Sequence, residues 1–133
     1  IDKLSKILEV DSRYHYEAYI FVLEALAYTL RKLEVKRHIT GRELLGGIRD
    51  LAQEKFGLMV KSVFAYWGIK ETLDFGHIVF NLVECGLLKK TTEDKLEDFK
   101  DVYDFEEVFV RNYPIDVDRE KIRKAKFLPS HLG

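Results

Sequence analysis

Residues 13–34 constrain this chain more than any other stretch. Tyr16, Tyr19, Leu23, Leu26, Leu30 and Leu33 recur at the three-to-four spacing of an α-helix, and Ala18, Phe21, Val22, Ala25 and Tyr28 fill most of the other side. The polar stripe is only Glu17, Glu24 and Arg31, seven residues apart. A helix apolar around most of its circumference is buried around most of it. It is therefore either the central helix of a domain or half of a dimer interface, with Tyr16, Tyr19, Leu23 and Leu26 as the candidate dimer face.

Around that helix, other helices announce themselves. Residues 2–9 form a short amphipathic helix with Leu4, Ile7 and Leu8 on one side, and Asp11 or Ser12 is placed to cap the helix that follows. "ITGRE" supplies Thr40 as N-cap, Glu43 as its capping-box partner, and Ile39 with Leu44 as a hydrophobic staple. This helix runs to Phe56 and stops at Gly57. A short helix follows, with Met59, Val60, Val63, Phe64 and Trp67 inward. Thr72 is placed to cap the next one, Asp74 suits its positive N-terminal end, and Gly86 ends it.

Beyond Gly86, "LLKKT" and "FKDVYDF" read as short strands joined by "TEDKLED". Three helices and a hairpin over residues 39–105 make a winged-helix-like half, and the expected fold is mainly α, with a β-hairpin wing. The rival is an all-α bundle with a long acidic loop at 89–105. A chain of 133 residues, 47% hydrophobic, suffices for one domain over 1–133. It divides into N-terminal helices at 1–38, the winged-helix-like part at 39–105 and a C-terminal extension at 106–133.

A winged helix raises the question of DNA. Affinity for DNA comes largely from Lys and Arg on phosphates. The helix over 73–85 carries neither, and its polar stripe is Asp74, His77, Asn81 and Glu84. The expected wing adds Glu93, Asp94, Glu97, Asp98 and Asp101 against Lys95 and Lys100. Nucleic acid is therefore not expected on this helix, and the stripe is instead the candidate protein-interaction face. Basic clusters lie elsewhere, with Arg31, Lys32, Lys36 and Arg37 in one and Lys121, Arg123 and Lys124 in the other. They are expected to be a helix end stabilised by cations and a solvated tail, with a nucleic-acid-binding regulator or contact with an acidic partner as the alternative. The tail could also lie across the acidic 89–118 segment of its own chain.

No catalytic constellation is visible, so the chain is expected not to be an enzyme. Asp74 and His77 share a helix face, but two ligands do not make a zinc site, and His15, His38 and His131 show no ligand spacing. His77 and Cys85 stand about 12 Å apart along a helix, too far for a nucleophile and its base. No cofactor is implied. "LLGG" at 44–47 lies inside a helix, where Gly46 and Gly47 are expected to permit close packing. Tyr14, Tyr16 and Tyr19 could form an exposed contact cluster. The single cysteine and the lack of a signal-peptide pattern point to the cytoplasm, and no apolar run is long enough to span a membrane.

At "RHITGRELLGGIRDLAQEKFG", "WGIKETLDFGHIVFNLVECGLLKKTTEDKLEDF" and "YDF", the chain resembles a family of uncharacterised bacterial proteins of planctomycete and verrucomicrobium type. The likeness covers about residues 7–107. Gly46 and Leu58 depart from it, where the family tends to have a charged residue and a proline. The resemblance implies a bacterial, cytosolic, single-domain protein and carries over no functional residue. The expected role is that of a non-enzymatic protein-interaction or regulatory module, possible as a homodimer.

Overall fold

The computed structural model describes residues 2–111, and its architecture is mainly helical. The helices are α1 (Asp2–Val10), α2 (Tyr16–Arg31), α3 (Gly41–Phe56), α4 (Val60–Tyr66) and α5 (Thr72–Glu84). A 3₁₀ turn, Gly57–Met59, joins α3 to α4. A second, Leu96–Phe99, interrupts the long segment after α5, and a π turn at Glu107–Arg111 follows.

Helix α2 is the centre. It packs on α3 and α5, with Ala18, Tyr19, Phe21, Val22 and Ala25 buried. The reading of α2 as a central helix therefore accounts for most of its apolar surface. Tyr16 and Ile20 stay exposed beside Glu17 and Glu24. The helix starts later than expected, because neither Asp11 nor Ser12 caps it. Asp11 is held by Arg13, while His15 Nδ1 accepts the Glu17 N–H at 3.1 Å. At the other end it stops at Arg31, and the Lys36 ammonium donates to the Leu30 carbonyl at 2.8 Å.

The capping box of α3 forms as the sequence indicates. Glu43 N–H donates to Thr40 Oγ1 at 3.1 Å, and Thr40 N–H donates to Glu43 Oε1 at 2.8 Å. Ile39 and Leu44 are both buried. On the short helix, Val60, Phe64 and Trp67 face inward as expected, but Met59 is 59% exposed, because the 3₁₀ turn rotates it out of the helical register.

The β-hairpin wing does not form. Among the described residues there is no strand, and 85–104 is loop around the Leu96–Phe99 turn, as in the rival all-α arrangement. The reason lies in Thr72 and Phe99. Thr72 is not the cap of α5. It is buried, donates its hydroxyl to the Phe99 carbonyl at 2.6 Å and accepts the Val102 N–H at 3.2 Å. Backbone groups that a hairpin would pair are thus taken by a side chain of α5. The Phe99 ring drops against Gly41 and Gly76, where an added Cβ would lie 2.7 and 2.9 Å from it. Downstream, the π turn delivers Phe109, and Phe105 sits just before it. Both join Phe21, Trp67 and Phe75 around Phe64, with ring centroids 5.1–6.0 Å from it.

No described helix is long and apolar enough to cross a membrane.

Candidate functional site

The C-terminal half of α2 is less covered than its start. Leu26 and Leu30 are half-buried, and so are Val79 and Phe80 on α5 and Leu88 just after it. These side chains, with Leu44 of α3, line a partly open cleft of about 230 Å³. Its rim is charged. Arg37 and His38 approach from the segment before α3, Lys89 and Lys90 from the segment after α5, and Asp94 and Asp98 from the loop.

Several of these charges are already engaged. Arg37 donates to Glu43 Oε2 at 2.7 Å, and that contact helps hold the Glu43 carboxyl down to about 2. His38 Nε2 lies 2.8 Å from Asp94 Oδ2, joining two segments 56 residues apart in sequence. Burial raises the Asp94 pKa, but the Thr91 N–H and His38 outweigh it, so the carboxyl ends below its ordinary value. Asp98 accepts the Lys95 N–H at 3.1 Å. Lys89 and Lys90 have no carboxylate within ion-pair distance among the described residues. Lys90 instead lies 5.9 Å from the Phe80 ring centroid.

The stripe of Asp74, His77, Asn81 and Glu84 divides into different tasks. Asp74 Oδ1 accepts the Tyr14 hydroxyl at 2.6 Å, and Oδ2 accepts the Lys70 and Glu71 N–H groups at 2.8 and 3.1 Å. It is a structural clamp at the start of α5. Asn81 is also turned inward, with its amide donating to Asp11 Oδ2 at 2.9 Å and to the Tyr19 hydroxyl at 3.1 Å. His77 is half-buried, and Glu84 is exposed. Asn81 and Glu84, with Cys85, line a second, more open cleft of about 510 Å³ beneath α1, where Lys3 and Lys6 form the other wall. Arg13, bonded to Asp11, keeps that carboxyl well below its ordinary range.

Of the candidate dimer face, Tyr19 is wholly buried, Leu23 and Leu26 are half-buried and Tyr16 is 37% exposed. Tyr14 is buried too, so the three tyrosines do not form an exposed cluster. In the first basic cluster, Arg31 and Lys32 are exposed, and the Lys32 ammonium lies 4.3 Å from the Tyr28 ring centroid. Arg37 lines the apolar cleft, and Lys36 donates to the carbonyl of Leu30, which also lines it. Lys121, Arg123 and Lys124 lie outside the described residues.

No group of three or more His, Cys, Asp or Glu side chains that could hold a metal occurs among the described residues. Sequence reasoning missed Val79, Phe80 and Leu88, and the placing of Lys89 and Lys90 on the rim of the cleft. The available signal was the apolar flank on both α2 and α5, but nothing local indicates that the two flanks meet.

No protein-family model matches the chain, and no curated protein or solved structure shows significant similarity to it.

Proposed function

We propose that this chain is a non-enzymatic protein-interaction module of a bacterial cytosol, belonging to the bacterial family it resembles, and that it binds through the cleft between α2, α3 and α5. One observation carries the reading. Half-buried apolar side chains from α2, α5 and the segment after it converge on a single open cleft, beside two lysines with no described carboxylate partner. Exposed apolar surface rimmed by polar groups is characteristic of contact sites. The acidic stripe of α5 is a weaker contact surface, because Asp74 and Asn81 spend their polar groups inside the fold.

The test is selection of a random displayed-peptide library on the full chain, repeated with Val79→Glu. Enrichment on the wild type that is lost on the variant supports the reading, provided circular dichroism shows the variant folded. Parallel anisotropy titrations use mixed-sequence duplex DNA and RNA at low and moderate salt. Salt-sensitive nucleic-acid binding without peptide enrichment would replace this reading with a nucleic-acid-binding regulator that uses the basic clusters.

A further inference from the structure

The rim of the apolar cleft carries both cationic and anionic side chains. Lys89 and Lys90 stand on one side. On the other, Arg37 and His38 line the rim, and Lys36 is anchored on the Leu30 carbonyl beside them. Arg37 is paired with Glu43, and the anions of the same rim accept hydrogen bonds. Asp94 accepts from Thr91 N–H and lies against His38, and Asp98 accepts from Lys95 N–H. Among the described residues, the rim side chains with no opposite charge at ion-pair distance are Lys89, Lys90 and Asp98, two cations to one anion.

We propose that this cleft takes an acidic peptide segment of a partner protein, with one or two apolar side chains seated between α2 and α5 and flanking carboxylates on Lys89 and Lys90. The inference rests on the interaction reading above and adds the partner's chemistry. Three observations favour that occupant. The cleft, at about 230 Å³, is smaller than the roughly 300–1,000 Å³ usual for pockets that enclose a small molecule. It is also only partly enclosed, which suits a segment lying across it. Its mouth is cationic, which disfavours the chain's own tail, since residues 119–133 hold five basic side chains and one acidic. Charges on such a rim govern which partner docks and how fast, while the apolar floor supplies most of the affinity.

The experiment uses the peptides enriched on the full chain, resynthesised with a fluorescent label and titrated by anisotropy. The expected consensus has apolar residues beside Asp or Glu. Lys89→Glu with Lys90→Glu, both exposed and therefore safe for folding, should weaken binding by roughly tenfold, equivalent to about 1.4 kcal/mol. Changing the peptide's Asp and Glu to Lys should restore binding to that variant, and added salt should weaken the wild-type complex. Peptides that need Val79 but show no acidic preference and no charge-swap rescue would overturn this inference and leave the interaction reading standing. Absence of any peptide whose binding depends on Val79 would overturn both. Two alternative occupants would also overturn it. One is decanoate that competes with the peptides and binds more tightly than they do. The other is a concentration-dependent dimer lost in the Lys89→Glu, Lys90→Glu variant, which would make the occupant a second copy of this chain.

Discussion

The Tyr14 hydroxyl donates a 2.6 Å hydrogen bond to Asp74 Oδ1 across 60 residues of sequence. The bond ties the segment before α2 to the first turn of α5. The other carboxylate oxygen is occupied by the N–H groups of Lys70 and Glu71. Tyr14→Phe should therefore cost about 1.5–3 kcal/mol, the worth of a hydrogen bond to a charged group. Asp74→Ala, which also leaves two N–H groups without their acceptor, should cost more. Urea unfolding of both variants measures this, and equal stability to wild type would remove Asp74 from its structural role.

Thr72 connects α5 to the loop that replaces the expected wing. Thr72→Val keeps the shape but removes the donor to Phe99 and the acceptor for Val102. The loss should be about 1–3 kcal/mol, because buried backbone groups are left without partners. Thr72→Ser keeps the hydroxyl and should lie closer to wild type. Denaturant midpoints of the two variants give the comparison.

Gly46 and Gly47 are adjacent and should respond in opposite directions to alanine. A Cβ on Gly46 would meet nothing nearer than 3.9 Å. Gly46→Ala should therefore stabilise α3 by up to about 1 kcal/mol through helix propensity. At Gly47 the Cβ would fall 1.8 Å from Thr29 Oγ1, which is held by the Ala25 carbonyl. Gly47→Ala should destabilise by about 1–3 kcal/mol through overpacking, and Thr29→Ala in the same chain should recover part of it. Thermal melts read both effects.

Acid should weaken the fold through three carboxylates. Glu43 is lowered from 4.5 to about 2, first by Arg37 and then by the Thr40 N–H. Asp11 and Asp94 are lowered as well. A folded-state pKa below the unfolded value means stability present above the unfolded pKa and lost as pH falls through the folded one. Urea midpoints should thus fall between pH 4.5 and about 2. Glu43 is partly exposed, so Glu43→Gln should flatten that dependence only slightly. A midpoint that stays level through this window would contradict the assignment.

Local signals in the sequence determined where α3 begins and ends. The Thr40–Glu43 capping box acts within four residues, and the wide apolar surface of residues 16–31 required a helix buried around most of its circumference, leaving open whether other helices or a second copy cover it. Such features depend on short-range geometry and on the cost of exposing apolar area, so they survive without knowledge of the fold. The fate of the segment after Gly86 was decided by tertiary structure. Its alternating pattern suits a strand, yet its backbone groups found Thr72, and its Phe99 ring found the space left by Gly41 and Gly76. The same applies to the cleft. Leu26, Leu30, Val79, Phe80 and Lys90 are separated in sequence by up to 64 residues, and only the packing of α2 against α5 brings them together. Polar residues on α5 looked like a surface stripe because helical spacing reports the face of a residue. Whether that face meets water or the side chains of Asp11, Tyr14 and Tyr19 depends on the elements packed against it.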